Sequence, residues 1–581
     1  MKLLIYLYIC WANLSLVSSF VNWPTLSSQI EVAIRSQRDV SRPIPIDQLS
    51  NPGLSLSSML FEQYGYSRNT LTNLETLLQV GSQGLLIDLY WNEFTSKWQL
   101  CPAPFPTNTT VNQSVSEISI SWNNRTYICD PQLTTENIMN YTNNYIQSTN
   151  TNLEVNLLQM LFNLKSISIQ PSSKTDALIE AFTPMDPAFT AIGNSSLNET
   201  VASLGSSLFT PIDLDNYRAN INHSSTPVSY YNSSNLLMPS LETVLLTDFR
   251  RILVNVVSNE LEPSSRKYNI TQADRNVIFF NDTMPTSISN TTDETVGESC
   301  ESLIQGYSTP STHFRYIMDN TDDPFTLTSI RQYIRCGLSP IFNSSIYQIN
   351  NQTTSELAEV FDTFIPYVFW SWSPGEPRSA ENATNIVNDN TTTTTVSIAS
   401  ASTDIITDSS DHATAFRCTI LTSEGWAVAD CYEKYTYACQ NSTSPHSWAI
   451  STDEKSYFDI ESQTCPPGYS FGVPRSNGEM LALMNTEDIE YPVWIDLNDL
   501  TVEGCFVSGG PYAECPYQRV VTTDKFVRMI APSFVVAAAI LILIFMEKFI
   551  REMPVQTNRK RYWRKVLQEY YEKNDYEGVP S

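Results

Sequence analysis

Four acidic residues, Asp88, Asp282, Asp319 and Glu376, each follow a short apolar run that reads as a β-strand. Glu93, Asp322 and Asp323 stand close to two of those runs. Carboxylates carried just past strand ends can converge on one point. There they could hold a hard cation through oxygen, or work as a pair on a glycosidic bond. No spacing among them fixes a single site, and solvated loop acids give the same pattern. Histidine is scarce, at His223, His313, His412 and His446 only. His313, just ahead of an apolar run, is the one expected to be buried, in a structural role. The chain carries no Gly-x-Ser-x-Gly elbow, P-loop, His-Glu-x-x-His or dinucleotide fingerprint, so no cofactor is expected.

The compartment limits the chemistry further. Met1-Lys2 precedes an uncharged apolar run from Leu3 to Val17, with small residues at Val17 and Ser19. That is the pattern of a secretory signal peptide over residues 1–19. Its removal takes away Cys10 and leaves Cys101, Cys129, Cys300, Cys336, Cys418, Cys431, Cys439, Cys465, Cys505 and Cys515. An even set of cysteines in an oxidising compartment implies disulfides. Cys101–Cys129 and Cys300–Cys336 are the pairings expected in the larger part of the chain. Metal binding by these cysteines lacks the Cys-x-x-Cys pairs it would need, and no metal site is expected.

Asn-x-Ser/Thr acceptors begin at Asn108, Asn112, Asn124, Asn140, Asn194, Asn198, Asn222 and Asn232, and continue at Asn269, Asn281, Asn290, Asn343, Asn351, Asn382, Asn390 and Asn441. All precede an uncharged apolar stretch, Met529 to Met546, that is just long enough to cross a bilayer. Arg551, Arg559, Lys560, Arg561, Arg564 and Lys565 follow it. The positive-inside rule then places residues 547–581 in the cytoplasm, with the N-terminal region lumenal or extracellular. The formal net charge of −27 disfavours nucleic acid as a partner. The expected partners are membrane lipid through the span and unidentified lumenal or cytosolic proteins.

Elements that could position the acids follow from periodicity. A helix is predicted from Asn69-Thr70, with Leu71, Leu74, Leu77 and Leu78 on one face, stopped by Gly81. Gly84 to Trp91 is a continuous apolar run, as a strand covered on both faces requires. A long helix is predicted from Ser240 to about Glu260. Val277 to Phe280, Phe314 to Met318, Pro340 to Phe342 and Tyr367 to Trp372 read as strands, and Thr326 to Cys336 as a helix ended by Gly337. Alternating strands and helices predict an α/β fold with a parallel sheet, a TIM-barrel-like lumenal domain over residues 20–381. An open doubly wound sheet is the second choice. Residues 382–412 form a Ser/Thr-rich linker, 413–520 a small Cys-rich β-containing module and 529–546 the transmembrane helix. Trp370 and Trp372, two apart, are read as core packing rather than a stacking platform.

Asn73 to Asp88 (NLETLLQVGSQGLLID) resembles the helix–Gly–strand unit near the start of the phosphatidylinositol-specific phospholipase C and glycerophosphodiester phosphodiesterase barrels. The resemblance implies an acidic metal ligand at Asp88. It also calls for two histidines that this chain lacks: MLFEQYGYSRNT has none, and WQLCPAP carries Cys101 instead. A shared fold that has lost its catalytic equipment is therefore implied. Cys418 to Gln440, then Cys465 onward, resemble the closing and opening segments of a C-type lectin-like domain in reversed order, without its calcium and sugar motif.

The whole arrangement resembles the fungal maintenance of telomere capping protein 6 family. The residues that carry this are Ser58 to Asn92, RQYIRCGLSPIFN from Arg331, FWSWSPGEP from Phe369 and the C-terminal EYYEKNDYEGVPS. The resemblance implies a glycosylated single-pass type I membrane protein with a genetic link to telomere capping, indirect because a membrane intervenes. A non-catalytic role is expected. The alternative is a lumenal or cell-surface hydrolase of a phosphodiester, glycolipid or wall glycan.

Overall fold

The computed structural model describes residues 26–79, 81–92, 96–105, 117–167, 188–220, 238–262, 266–280, 287–288, 316–319, 324–343, 364–379, 415–460, 464–487, 489–517, 535–548 and 559–573. The chain divides into two units, residues 1–517 and 518–581.

Helix α1 (Ser28–Val40) is the first element among the described residues, with the Ser27 hydroxyl accepting from the Ile30 amide. Strand β1 (Gly53–Ser55) follows, then α2 (Leu74–Gln79), β2 (Gly84–Asn92), α3 (Thr135–Ser148) and β3 (Leu158–Ser166). After them come β4 (Ile252–Glu262), β5 (Tyr316–Met318), α4 (Leu327–Arg335) and β6 (Ser339–Phe342). Their spatial order is β5, β6, β1, β2, β3, β4, with every neighbouring pair parallel. The last strand lies beside the first, and the order otherwise follows the chain. That cyclic order is the rule of a barrel; a doubly wound sheet reverses at a switch point. The fold is a partial, TIM-barrel-like α/β barrel.

Alternation along the strands sorts the core into two clusters. Leu86, Leu161, Leu253, Tyr316 and Ile341 gather on the inner face. Leu85, Ile87, Met160, Phe162 and Val254 face outward, in one cluster with Leu74 and Leu77 of α2 and Ile138 and Met139 of α3. Each such side chain removed from water contributes about 2 kcal/mol. The Gly81 turn (φ 98°) and β2 match the sequence reading, while the helix predicted from Asn69-Thr70 is two short ones, Arg68–Leu71 and Leu74–Gln79.

Three predicted elements are corrected. The long helix from Ser240 reduces to one wide turn, Thr243–Thr247, and the chain then enters β4. Phe249 at φ 54° breaks the helix, and the β-branched Ile252, Val254, Val256 and Val257 suit a strand paired with β3. The strand Tyr367 to Trp372 is instead a 3-10 turn, Ile365–Tyr367, and a single bridge from Trp372 to Trp426. Its hydrogen bonds go to another segment: Ser373 N to Trp426 O and Trp426 N to Ser371 O, at 2.9 and 2.8 Å. Of Val277 to Phe280, only Phe279 bridges, parallel to Asn255, because Gln272–Val277 is helical.

The Cys-rich part holds β7 (Phe416–Thr422), β8 (Gly425–Asp430), β9 (Thr436–Asn441), β10 (Trp448–Ile450), β11 (Tyr469–Phe471), α5 (Asn477–Met484) and β12 (Val493–Asn498). The sheet order is β8, β7, β12, β9, β10, with β11 also on β9. Disulfides join Cys418–Cys431, Cys439–Cys465 and Cys505–Cys515. Cys101 is bonded to Cys129. Cys336 is also disulfide-bonded, and Cys300 lies outside the described residues.

This part packs directly on the barrel, and α1 lies at the junction. Trp372 Nε1 donates to Ser36 Oγ at 2.9 Å, Arg35 Nη2 to Gly504 O at 2.7 Å and Ser41 Oγ to Arg475 O at 2.8 Å. Trp370 and Trp372 are both buried, edge-on to Trp426, which is core packing. At Gly425 (φ 135°) an added Cβ would stand 2.7 Å from Ser371 O.

In the second unit, 535–548 and Arg559–Lys573 are helical. Among the described residues no helix is long and apolar enough to cross a membrane. The beginning of the predicted span, 529–534, lies outside them.

Gly425→Ala should destabilise the first unit by about 2–4 kcal/mol, read as a fall in Tm, because backbone rather than a flexible side chain must move. An unchanged Tm would mean the Trp372 segment is not seated there. A second expectation concerns pH. Glu479, fully buried in α5, has its pKa pushed up to about 7 by desolvation, opposed by hydrogen bonds from Arg475 N and Gln440 Nε2. Between about pH 4.5 and 7 the native state holds a proton that the unfolded chain releases, so stability falls as pH rises. Burial of His446 lowers its pKa to about 4, which gives the opposite slope below pH 6.5. The difference in Tm between the wild type and Glu479→Gln isolates the glutamate. It should move in favour of the variant from pH 5 to pH 7, and a pH-independent difference would refute the assignment.

Candidate functional site at the barrel mouth

Asp88 lies on the inner face of β2, two residues past Leu86. The parallel register sets it against Asn163 of β3 and sets Tyr90 against Lys165. Both partners converge on one oxygen. Asn163 Nδ2 donates to Asp88 Oδ1 at 2.6 Å, and Lys165 Nζ is 3.1 Å from the same atom. Asp88 is buried and Lys165 half-buried. The Lys165 ammonium also lies 5.8 Å from the centroid of the Tyr90 ring.

A second group stands beside this pair. Phe61 and Tyr66 stack at 5.1 Å, and Tyr127 meets Tyr66 edge-on at 6.4 Å. Tyr127 comes from the hairpin Ile118–Trp122/Arg125–Cys129, which the Cys101–Cys129 bond anchors. Tyr66 N donates to Ile128 O at 2.7 Å and Asp130 N to Tyr66 O at 2.8 Å, tying the hairpin to the chain after β1. Desolvation first, then Arg125, Asp88 and Lys165 nearby, act on Glu62, with a net upward shift of its pKa. Burial, and the charges of Glu62 and Asp88, hold the Tyr66 and Tyr90 phenols far above their ordinary pKa. They remain neutral at any physiological pH.

The arrangement is self-neutralising. Lys165 supplies at Asp88 the positive charge that a bound cation would bring, and Asn163 takes a further lone pair of the same oxygen. Among the described residues no cluster of three or more His, Cys, Asp or Glu could hold a metal ion.

The other acids go elsewhere. Asp319 Oδ1 accepts from Phe325 N at 2.9 Å and its Oδ2 from Asn343 N at 3.3 Å, closing the loop between β5 and α4. Glu376 pairs with Arg378 at 2.6 Å and accepts from Val428 N in β8, so it belongs to the junction with the Cys-rich part. Its pKa is raised, by burial first. Asp282, Glu93, Asp322 and Asp323 lie outside the described residues, as do His223, His313 and His412. Sequence reasoning missed Asn163 and Lys165 because it did not assign β3. The signal was present: LQMLFNLKS alternates, with Gln159, Leu161, Asn163 and Lys165 on one face.

Residues 24–363 match the family model described as MTC6 partial TIM-barrel domain. The chain is 46% identical to Maintenance of telomere capping protein 6 of Candida tropicalis, over 98% of this chain and 99% of that protein. It is 40% identical to the protein of the same name from Meyerozyma guilliermondii, over the full length of both. With that of Komagataella phaffii it shares 30% identity over 97% of each. Among solved structures, a calcium-dependent phosphoinositol-specific phospholipase C from Pseudomonas sp superposes loosely. The identity is 14% and the TM-score 0.27, with 55% of this chain and 95% of that one covered.

Lys165→Met should cost about 2 kcal/mol, because it strands a buried carboxylate. Lys165→Met together with Asp88→Leu should recover most of that loss. Denaturant unfolding of the three proteins tests the pair, and equal stability of the single variant and the wild type would dismiss it.

Proposed function

This chain belongs to the maintenance of telomere capping protein 6 family, and we propose that it acts there as a non-catalytic, N-glycosylated, single-pass type I membrane protein. The observation that carries the non-catalytic part is the Asp88–Lys165–Asn163 contact. The acid expected to bind metal is bound by the protein itself, so the barrel serves as a scaffold.

The membrane part is supported by the side chains of 535–546. Leu541, Ile542, Leu543, Ile544 and Phe545 are exposed. Five successive large apolar groups facing outward suit hydrocarbon, not water. The basic residues beyond them orient the tail to the cytoplasm. Of the acceptor asparagines that are described, Asn124, Asn140, Asn194 and Asn269 are exposed, and Asn198, Asn343 and Asn441 are partly covered. Asn108, Asn112, Asn222, Asn232, Asn281, Asn290, Asn351, Asn382 and Asn390 lie outside the described residues. With this topology the barrel is separated from chromatin by a bilayer. The role in telomere capping carried by the relatives' name is then exerted indirectly, through partners in the secretory system or at the cell surface.

The test is an assay of the purified full chain on phosphodiester and β-glycan substrates, with and without calcium or magnesium. No turnover is expected. In cells, the Asp88→Leu/Lys165→Met protein should support telomere capping as the wild type does. Cation-dependent turnover that Asp88→Leu abolishes would establish the hydrolase instead.

A further inference from the structure

A cavity of about 310 Å³ lies at the opposite end of the barrel, where Val155 precedes β3 and Leu241 to Phe249 precede β4. Arg38, Asp39 and Arg42 from the end of α1 and the following turn form one wall, together with Pro516 and Tyr517. Arg38 is buried and saturated. It donates to the carbonyls of Asn152, Leu153 and Val155, to the Tyr517 hydroxyl and to Asp39. Arg42 is not. Its hydrogen bonds to Asp39 and Tyr517 both come from Nη2, at 3.2 and 2.9 Å, and its Nε is buried with no partner. Two guanidinium groups therefore share the one carboxylate of Asp39, which leaves a cationic edge at Arg42. Glu242, the other acid on the cavity, stands at its exposed rim.

The remaining wall is apolar, with Leu245, Leu246 and Phe249. Phe249 is 70% exposed and sits at φ 54°, a conformation that costs a bulky residue free energy. The backbone around it is held by Asp248 N to Thr243 O and Arg250 N to Val244 O, at 2.9 and 2.8 Å. An aromatic ring kept both strained and wet gains nothing for the empty fold, and its exposure points to an absent contact.

We propose that this cavity binds an anionic amphiphile, a carboxylate or phosphate on a short apolar chain. The head pairs with the Arg42 guanidinium, which keeps donors beyond the two bonds that its Nη2 gives to Asp39 and Tyr517. The chain lies on Leu245 and Leu246 under the Phe249 ring. The volume is at the small end of ligand pockets, with room for a head group and a short chain. The source of such a ligand is either a membrane lipid or a soluble metabolite.

The test uses the full chain in phosphatidylcholine nanodiscs, titrated calorimetrically with hexyl phosphate, inorganic phosphate and hexanol. Hexyl phosphate should bind saturably and at least about tenfold more tightly than either fragment. Arg42→Gln should weaken it by about tenfold or more, with Arg42→Lys between. Phe249→Gly should weaken it several-fold yet raise the Tm of the empty protein, since glycine adopts φ 54° without strain. Should Arg42→Gln fail to fold, Phe249→Gly and Leu246→Ala carry the test. Equal binding of hexyl phosphate and inorganic phosphate, or unchanged affinity in Arg42→Gln or Phe249→Gly, overturns the proposal. Repeating the titration in nanodiscs that contain phosphatidic acid separates the sources. Loss of hexyl phosphate binding there identifies the lipid as occupant, and unchanged binding identifies the soluble ligand.

Discussion

The structure depends on a single buried guanidinium. Arg38 near the end of α1 satisfies three backbone carbonyls of the segment that leads into β3 and also grips the Tyr517 hydroxyl at the far end of the same unit. Carbonyls in a loop under a barrel have no strand partner and are costly to bury unpaired. One planar five-donor group meets that need and leaves no donor idle. The neighbouring Asp39 balances the charge and accepts from Tyr517. Through this contact the first helix, the barrel and the close of the Cys-rich part become one compact body, although hundreds of residues separate them in sequence.

The partial barrel is also covered from outside its sheet. Among the described residues, Ser287–Ile288 extends the sheet beside β5 and Leu208–Phe209 beside β4, both parallel. On one side, α1 and the Trp370–Trp372 segment cover the sheet, and Trp426 and Phe506 of the Cys-rich part cover them in turn. Arg331 and Arg335 of α4 reach the turn between β7 and β8, with Arg335 Nη2 donating to Glu424 O at 2.7 Å. The disulfides inside the Cys-rich part hold its small sheet rigid enough to act as that cover.

At the mouth, the charge of Asp88 is balanced from within the protein. A barrel of this kind usually exposes unpaired acids and bases above its strands, where substrate completes them. Here Asp88 is completed from the next strand, by groups two residues apart that the pleat places on one face. The tyrosines around it are kept neutral by burial and by the nearby carboxylates. The result is a polar but electrically closed surface. The cavity under the barrel differs, with Arg38 and Arg42 sharing the Asp39 carboxylate and an aromatic ring in water.

Local pattern in the sequence determined the α2–Gly81–β2 unit, the β5–α4–β6 unit and the α/β class, because each rests on contacts within about thirty residues and on apolar periodicity. It also marked Asp88 as the acid most worth watching, through the motif around it. What only tertiary structure decided is which groups meet. Ser240 to Glu260 has a helical spacing of apolar residues, yet it becomes a strand because β3 offers a parallel partner and Phe249 turns the chain. Trp370 and Trp372 look like a strand until Trp426, from another part of the chain, takes their hydrogen bonds. Lys165 looks like any charge at the end of a run until the register sets it beside Asp88. Periodicity records the environment on one side of an element and says nothing of what stands opposite, and at both ends of this barrel it is the opposite group that fixes the chemistry.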